Sequence, residues 1–167
     1  VHFGWIDRGL VSPISMLASL VPVFAGIALE MKMKGKKNVA LTYVGDGATS
    51  TTDFHEGMNF AAVQKLPLII IVENNGYAYS TPTSMQFNVK DFVVRAQGYG
   101  CYGEMFDGNN VLAALDVTRR ARQRSPSMRT TGCCGDSRRG ASKPRRSATA
   151  CSRSAAPSIA RAAGRAS

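Results

Sequence analysis

Two short polar motifs, Gly45-Asp46-Gly47 and Glu73-Asn74-Asn75-Gly76-Tyr77, each follow an apolar run. Asp46 supplies a hard carboxylate oxygen and Asn75 an amide oxygen. The turn through Gly76 and Tyr77 can aim a backbone carbonyl at the same point. Oxygen donors of this kind, joined by the anionic oxygens of a phosphate, are what Mg²⁺ prefers. Gly45 and Gly47 let the backbone approach a bulky anion and take dihedrals closed to other residues. A helix expected to start near Thr51 would turn its free N–H groups toward that point and favour a phosphate further.

The elements that must hold these motifs can be read from periodicity. Residues 39–44 and 68–72 are short, mostly β-branched apolar runs flanked by Gly and Pro, which predicts buried parallel strands. Between them, residues 52–65 place Phe54, Met58, Ala61 and Ala62 at helical spacing, behind a cap in residues 49–52. The unit is strand–helix–strand, and ligands of open α/β sheets bind outside the carboxyl ends of the strands. Upstream, Ser12 is expected to cap a long helix reaching about Lys34, with Pro13 in its first turn and a kink at Pro22. Leu17, Leu20, Phe24, Ile27, Ala28 and Met31 would form its apolar face. Downstream, residues 89–96 read as a short helix, 99–106 as a third strand, 107–110 as a turn and 111–122 as a last helix. The fold class expected is α/β, a three-layer parallel sheet flanked by helices. His55, alone in its helix, reads as structural, and Cys101 as a small buried hydrophobe.

At 167 residues the chain is long enough for one domain with a sizeable core. Its net charge of +10 is unevenly placed. Residues 1–122 hold 11 Lys/Arg against 10 Asp/Glu, whereas residues 123–167 hold 10 against the single acid Asp136. The globular part is thus near neutral, which removes the case for a nucleic-acid partner there. The last 45 residues contain nine Arg, nine Ser and nine Ala, no aromatic residue, and Ile159 as their one large aliphatic. Such a segment cannot bury enough apolar surface to offset its conformational entropy and is expected to be a disordered basic tail. It also lacks the aromatics that stack on single-stranded nucleic acid. Cys133, Cys134 and Cys151 have no histidine nearby and do not make zinc spacing. The most apolar stretch, residues 13–33, includes Pro22, Gly26 and Glu30 and reads as a buried helix rather than a membrane span. No signal peptide is recognisable, and without an initiator Met the sequence is silent on targeting.

Gly45-Asp46-Gly47, a gap of 26 residues, then Asn74-Asn75 resembles the thiamin-diphosphate fingerprint. The fuller phrases Asp53-Phe-His-Glu-Gly-Met-Asn-Phe-Ala-Ala62 and Asn74-Asn-Gly-Tyr-Ala-Tyr-Ser-Thr-Pro82 are similar to the α subunit of the decarboxylating component of 2-oxo acid dehydrogenase complexes, pyruvate or branched-chain type. The resemblance runs over residues 1–122, which would form an incomplete thiamin-diphosphate-binding domain. It implies thiamin diphosphate and Mg²⁺ as cofactors, with Asp46, the Asn75 side chain and the Tyr77 carbonyl as metal ligands. Gly45, Gly47 and Ala48 would lie against the diphosphate. Ser15 and Leu17 fall where the family grips the aminopyrimidine ring and holds the cofactor bent, and His2 falls where a histidine lines the site, which makes it the catalytic candidate of this chain. The reaction implied is oxidative decarboxylation of a small 2-oxo acid with acyl transfer to lipoyl. The implied partners are a β subunit, in a heterotetramer, and the lipoyl domain of the acyltransferase component. Proton transfer in the family depends on a glutamate of the β subunit and histidines of both chains, so this chain alone should be inactive. The implied setting is the bacterial cytoplasm or the mitochondrial matrix, with neither membrane nor nucleic acid as partner.

After residue 122 the family should continue into a strand and a loop bearing histidine and serine, yet no histidine follows His55. The abrupt Arg/Ser/Ala-rich run looks like a shifted reading frame in a GC-rich gene. Two other readings remain: a homo-oligomeric thiamin-diphosphate enzyme of the acetolactate synthase type, and a non-catalytic basic adaptor acting through residues 123–167.

Overall fold

A computed structural model of the chain describes residues 2–89 and 91–123, and the backbone of residues 129–134. Its strands are β1 (Ala40–Gly45), β2 (Leu68–Asn74), β3 (Tyr77–Ala78), β4 (Thr81–Pro82), β5 (Tyr102–Asp107) and β6 (Arg129–Cys134). Its α-helices are α1 (Leu20–Met33), α2 (Thr52–Val63), α3 (Phe92–Gly98) and α4 (Val111–Gln123). Four strands pair in parallel in the order β1-β2-β6-β5, while β3 and β4 form a small antiparallel hairpin.

The apolar run of β2 is buried on both faces, as an inner parallel strand requires. Leu68, Ile70 and Val72 join the main core with Val21, Ala25 and Ala28 of α1, Phe54, Met58 and Ala61 of α2, and Phe92 and Ala96 of α3. Ile69 and Ile71 face the other way and pack with Ala121 of α4. The result is the three-layer α/β arrangement expected from the alternation of strands and helices.

The crossover helix forms where its cap and apolar spacing place it. Thr51 Oγ1 accepts from the Phe54 N–H at 3.4 Å, and Phe54, Gly57, Met58 and Ala61 make the buried face. A Cβ at Gly57 would lie 2.8 Å from Val21 Cγ1 and 2.9 Å from the Pro22 nitrogen, so α1 and α2 cross at a contact only glycine permits.

Two expectations are corrected. The first helix begins at Leu20 rather than Ser12. Ala18 takes a left-handed backbone, φ +61°, which interrupts any helix begun earlier. Pro22 then lies in the first turn, where a missing N–H costs no hydrogen bond, and it starts the helix instead of kinking it. Leu17 consequently lies outside the helix it was expected to face. The second correction is β6, inside the segment expected to lack structure. Its backbone runs parallel to β2 on one side and β5 on the other, so ladder hydrogen bonds hold it without a large aliphatic residue. The tail's remaining residues, 124–128 and 135–167, lie outside the described residues. No helix among the described residues is long and apolar enough to cross a membrane.

Candidate functional site

The parallel register of β1 and β2 brings the two motifs to one edge. Gly45 pairs with Glu73, and the Asp46 N–H donates to the Glu73 carbonyl at 3.1 Å. Asp46 and Asn75 therefore leave adjacent strands at their carboxyl ends, where an open α/β sheet binds ligands. After Asp46 the chain makes a 3-10 turn, Gly47–Ser50, before α2 begins.

Asp46 is 1% exposed, and its Oδ2 has no hydrogen-bond partner. Burial pushes its carboxyl above the usual carboxylate range, while the backbone N–H groups of Asp46, Gly47 and Asn75 pull it back. An unsatisfied buried acceptor costs about 1–3 kcal/mol, which a cation beside Oδ2 would offset. The other candidate donors are the Asn75 amide and the Tyr77 carbonyl. No group of three or more His, Cys, Asp or Glu that could hold a metal occurs among the described residues. The set is all oxygen, which suits Mg²⁺ rather than a thiolate- or imidazole-seeking ion.

The loop after β2 is tied by its own side chains. Asn74 Oδ1 accepts from the Gly76 N–H at 3.1 Å, and Asn75 Oδ1 accepts from the Tyr77 N–H at 2.9 Å. Asn75 is exposed, and its amide oxygen keeps a second lone pair. The left-handed backbone expected at Gly45 and Gly47 occurs instead at Gly76, φ +83°. Gly47 is needed for a different reason. A Cβ there would overlap the Ala78 Cβ and lie 3.2 Å from the Ala78 Cα, so the Gly-Asp-Gly turn is packed directly against β3. At Gly45 a Cβ would meet open space. Ala48 is buried within the 3-10 turn.

His2, Ser15 and Leu17 are all exposed. His2 Nε2 and Ser15 Oγ lie 3.0 Å apart. Ser19 Oγ donates to Asp53 Oδ2 at 2.5 Å, which pins the start of α1 to the first turn of α2. The segment ahead of Ser19 thus leaves the fold at the same end as the Asp46 turn. Cys101 is buried with its thiol pushed up to about 11 by desolvation, which leaves it inert at neutral pH. His55 bonds through Nδ1 to the Tyr99 hydroxyl and serves as a brace between α2 and the end of α3.

Sequence reasoning missed Thr49 and Arg95. Thr49 is fully buried and donates twice to the Asp46 carbonyl, from its N–H at 3.1 Å and its hydroxyl at 2.6 Å. Its place two residues beyond the Gly-Asp-Gly was the available signal. Arg95, on α3, binds Thr49 from 46 residues away, and nothing local announces it. A cavity of about 410 Å³ bordered by Lys32, Lys36, Lys37, Lys65 and Arg122 lies beside the starts of β1 and β2, away from the Asp46 cluster.

Comparison with known proteins gives the family and the fold. The family described as "Dehydrogenase E1 component" matches residues 5–130. Among curated relatives, the pyruvate dehydrogenase E1 component subunit alpha of Bacillus cereus is 44% identical over 115 residues, covering 69% of this chain and 31% of that protein. The mitochondrial 2-oxoisovalerate dehydrogenase subunit alpha of Homo sapiens is 41% identical over 125 residues, covering 75% and 28%. The chain therefore spans under a third of the length of these relatives. An X-ray structure from Mycobacterium smegmatis, ascribed to a thiamin diphosphate-dependent enzyme, superposes with a TM-score of 0.52 at 25% identity, covering 70% of this chain and 22% of that one.

Proposed function

The chain belongs to the dehydrogenase E1 component family, and from that premise we propose that it supplies the metal and diphosphate half of a thiamin-diphosphate site in the α subunit of a 2-oxo acid dehydrogenase. The observation that carries this reading is the buried Asp46 carboxylate with an unpartnered Oδ2, set beside Asn75 at the carboxyl edge of β1 and β2. Asp46, the Asn75 amide oxygen and the Tyr77 carbonyl would hold Mg²⁺. Gly45, Gly47 and Ala48 would line the diphosphate, and Ser15, Leu17 and His2 would reach toward the rings.

Bound there, the cofactor supplies the electron sink that lets a 2-oxo acid lose carbon dioxide. The work of this chain's residues is to position it. The Asp46 carboxylate, already desolvated by burial, would hold Mg²⁺ more strongly than an exposed carboxylate, because opposite charges attract more strongly out of water. The fixed Asn74–Tyr77 loop offers its oxygens without further ordering. Among the described residues, the two histidines are His2 and His55, and His55 is held by Tyr99. Proton transfer is accordingly assigned to groups outside this core, on a β subunit, with a lipoyl domain as acyl acceptor. The relatives' names support a 2-oxo acid substrate, while the β subunit and lipoyl domain rest on the family resemblance of the sequence.

Titration calorimetry of the full chain with thiamin diphosphate is the test. Binding should require Mg²⁺ and weaken in Asp46→Ala by at least the roughly 10-fold to 100-fold that loss of a group supporting a metal ligand costs. Binding indifferent to Mg²⁺, or equal in the variant, would sink the reading.

A further inference from the structure

Arg95 has no part in the reading above, yet it is the most elaborately housed cation among the described residues. Its guanidinium forks onto Thr49, with Nη1 donating to Oγ1 at 2.7 Å and Nη2 to the carbonyl at 2.7 Å, and Nη2 also lies 3.4 Å from His55 Nε2. Three rings box it in, Phe54, Phe87 and Phe92, with centroids 5.8, 5.4 and 5.8 Å away. None of the ion pairs among the described residues includes it. A half-buried guanidinium held by an uncharged partner is costly unless its hydrogen bonds and ring contacts recover the lost hydration.

We propose that Arg95 is a positioning residue that holds the Asp46 turn in its metal-ready form through Thr49. The inference rests on the cofactor reading above and names a second layer of that site. A threonine hydroxyl has a single proton. Since Oγ1 accepts from Arg95, that proton is directed onward to the Asp46 carbonyl, 2.6 Å away. The polarity of the chain Arg95 to Thr49 to Asp46 is thereby fixed. Thr49's N–H donates to the same carbonyl at 3.1 Å, so Thr49, inside the 3-10 turn, is tied to Asp46 twice. Asp46 holds φ −56° and ψ −43°, and these angles set where its side chain leaves the backbone. Lysine would not replace the arrangement: an ammonium donates from one point, whereas the fork reaches hydroxyl and carbonyl together.

Two measurements on the full chain test this. In the first, affinity for thiamin diphosphate at saturating Mg²⁺ is measured beside the melting temperature of the unliganded protein. Arg95→Met and Thr49→Val should each weaken binding about 10-fold to 100-fold, the usual scale for groups that orient ligands. The double variant should be no weaker than the weaker single, because both changes break one chain. Arg95→Lys should recover part of the loss at most. A lower melting temperature with unchanged affinity, or additive losses, would overturn the proposal. The second measurement needs no cofactor. Amide hydrogen exchange at Gly47, Ala48 and Thr49 should quicken at least tenfold in Arg95→Met, and exchange in β2 should not change. Wild-type exchange at those amides would overturn the proposal by itself. Failure of the wild-type chain to bind the cofactor, with faster exchange in Arg95→Met, would instead remove the cofactor reading and leave the brace.

Discussion

The β1–α2–β2 crossover and the segment from His2 to Ser19 are both assigned to one cofactor, yet they are built in opposite ways. The crossover buries Asp46, Ala48, Thr49, Phe54 and Met58, and its motif residues are bonded to one another. The segment exposes Phe3, Trp5, Ile6, Leu10, Met16 and Leu17, and it is held by a Trp5–Leu10 bridge and the His2–Ser15 contact. The proposed diphosphate end is therefore preformed by short-range sequence inside one supersecondary unit. The proposed ring end consists of exposed apolar side chains. Binding the metal and binding the rings become separable problems, and substitutions can be aimed at either.

The largest effect is expected where the crossover is tightest. Gly47→Ala places a methyl group on the Ala78 Cβ, and both atoms are anchored to backbone. Overpacking of this kind costs about 1–3 kcal/mol, and the β3–β4 hairpin must move off the Asp46 turn to relieve it. Urea unfolding should show a lower midpoint with an unchanged slope. An unshifted midpoint would mean that the crossover is no more rigid than the segment and would break the contrast.

A smaller and pH-dependent effect should come from Asp46→Asn. Burial raises the Asp46 carboxyl above its unfolded value, so the folded state holds that proton more tightly than the unfolded chain does. Below the ordinary carboxylate range both states are protonated and nothing is lost. As pH rises through the unfolded value toward the raised folded one, ionisation removes stability, and the loss is complete above the folded value. Asparagine lacks this term. The melting temperature of the variant relative to wild type, both without Mg²⁺, should therefore climb as pH rises through and above the ordinary carboxylate range. Adding Mg²⁺ and thiamin diphosphate should stabilise the wild type alone. A flat difference across pH would mean that Oδ2 already has a partner and would weaken the metal reading.

The crossover was also the region most legible in the sequence, for the same physical reason. Its strands are continuous β-branched runs, its helix has local spacing and a local cap, and parallel pairing of consecutive strands then joins Asp46 to Asn75. Gly47 was singled out, but the reason proved to be contact with Ala78 rather than dihedral freedom, and a contact 31 residues away has no local trace. Ser12-Pro13 satisfies the rules for a helix start, yet the left-handed Ala18 postpones it to Leu20. Arg129-Thr-Thr-Gly-Cys-Cys134 has no large aliphatic residue, so composition hid a strand whose backbone pairs with β2 and β5. The Arg95–Thr49 fork is long-range and polar, and becomes visible only once α3 is packed beside the 3-10 turn.

The smallest expected effect on stability lies in the segment. Leu17 is 62% exposed and sits ahead of α1, so Leu17→Ala removes few contacts and should change unfolding free energy by no more than about 0.5 kcal/mol. If Leu17 holds the cofactor's rings, the same variant should lower affinity for thiamin diphosphate several-fold while leaving affinity for a ring-less diphosphate in Mg²⁺ unchanged. Asp46→Ala should weaken both ligands equally. Parallel titrations with the two ligands read this directly. Loss of both ligands in Leu17→Ala would show that the segment supports the metal end as well, joining the two regions into one site. Loss of neither would return Leu17 to an apolar residue whose contacts lie elsewhere, and would leave the crossover as the whole of this chain's contribution.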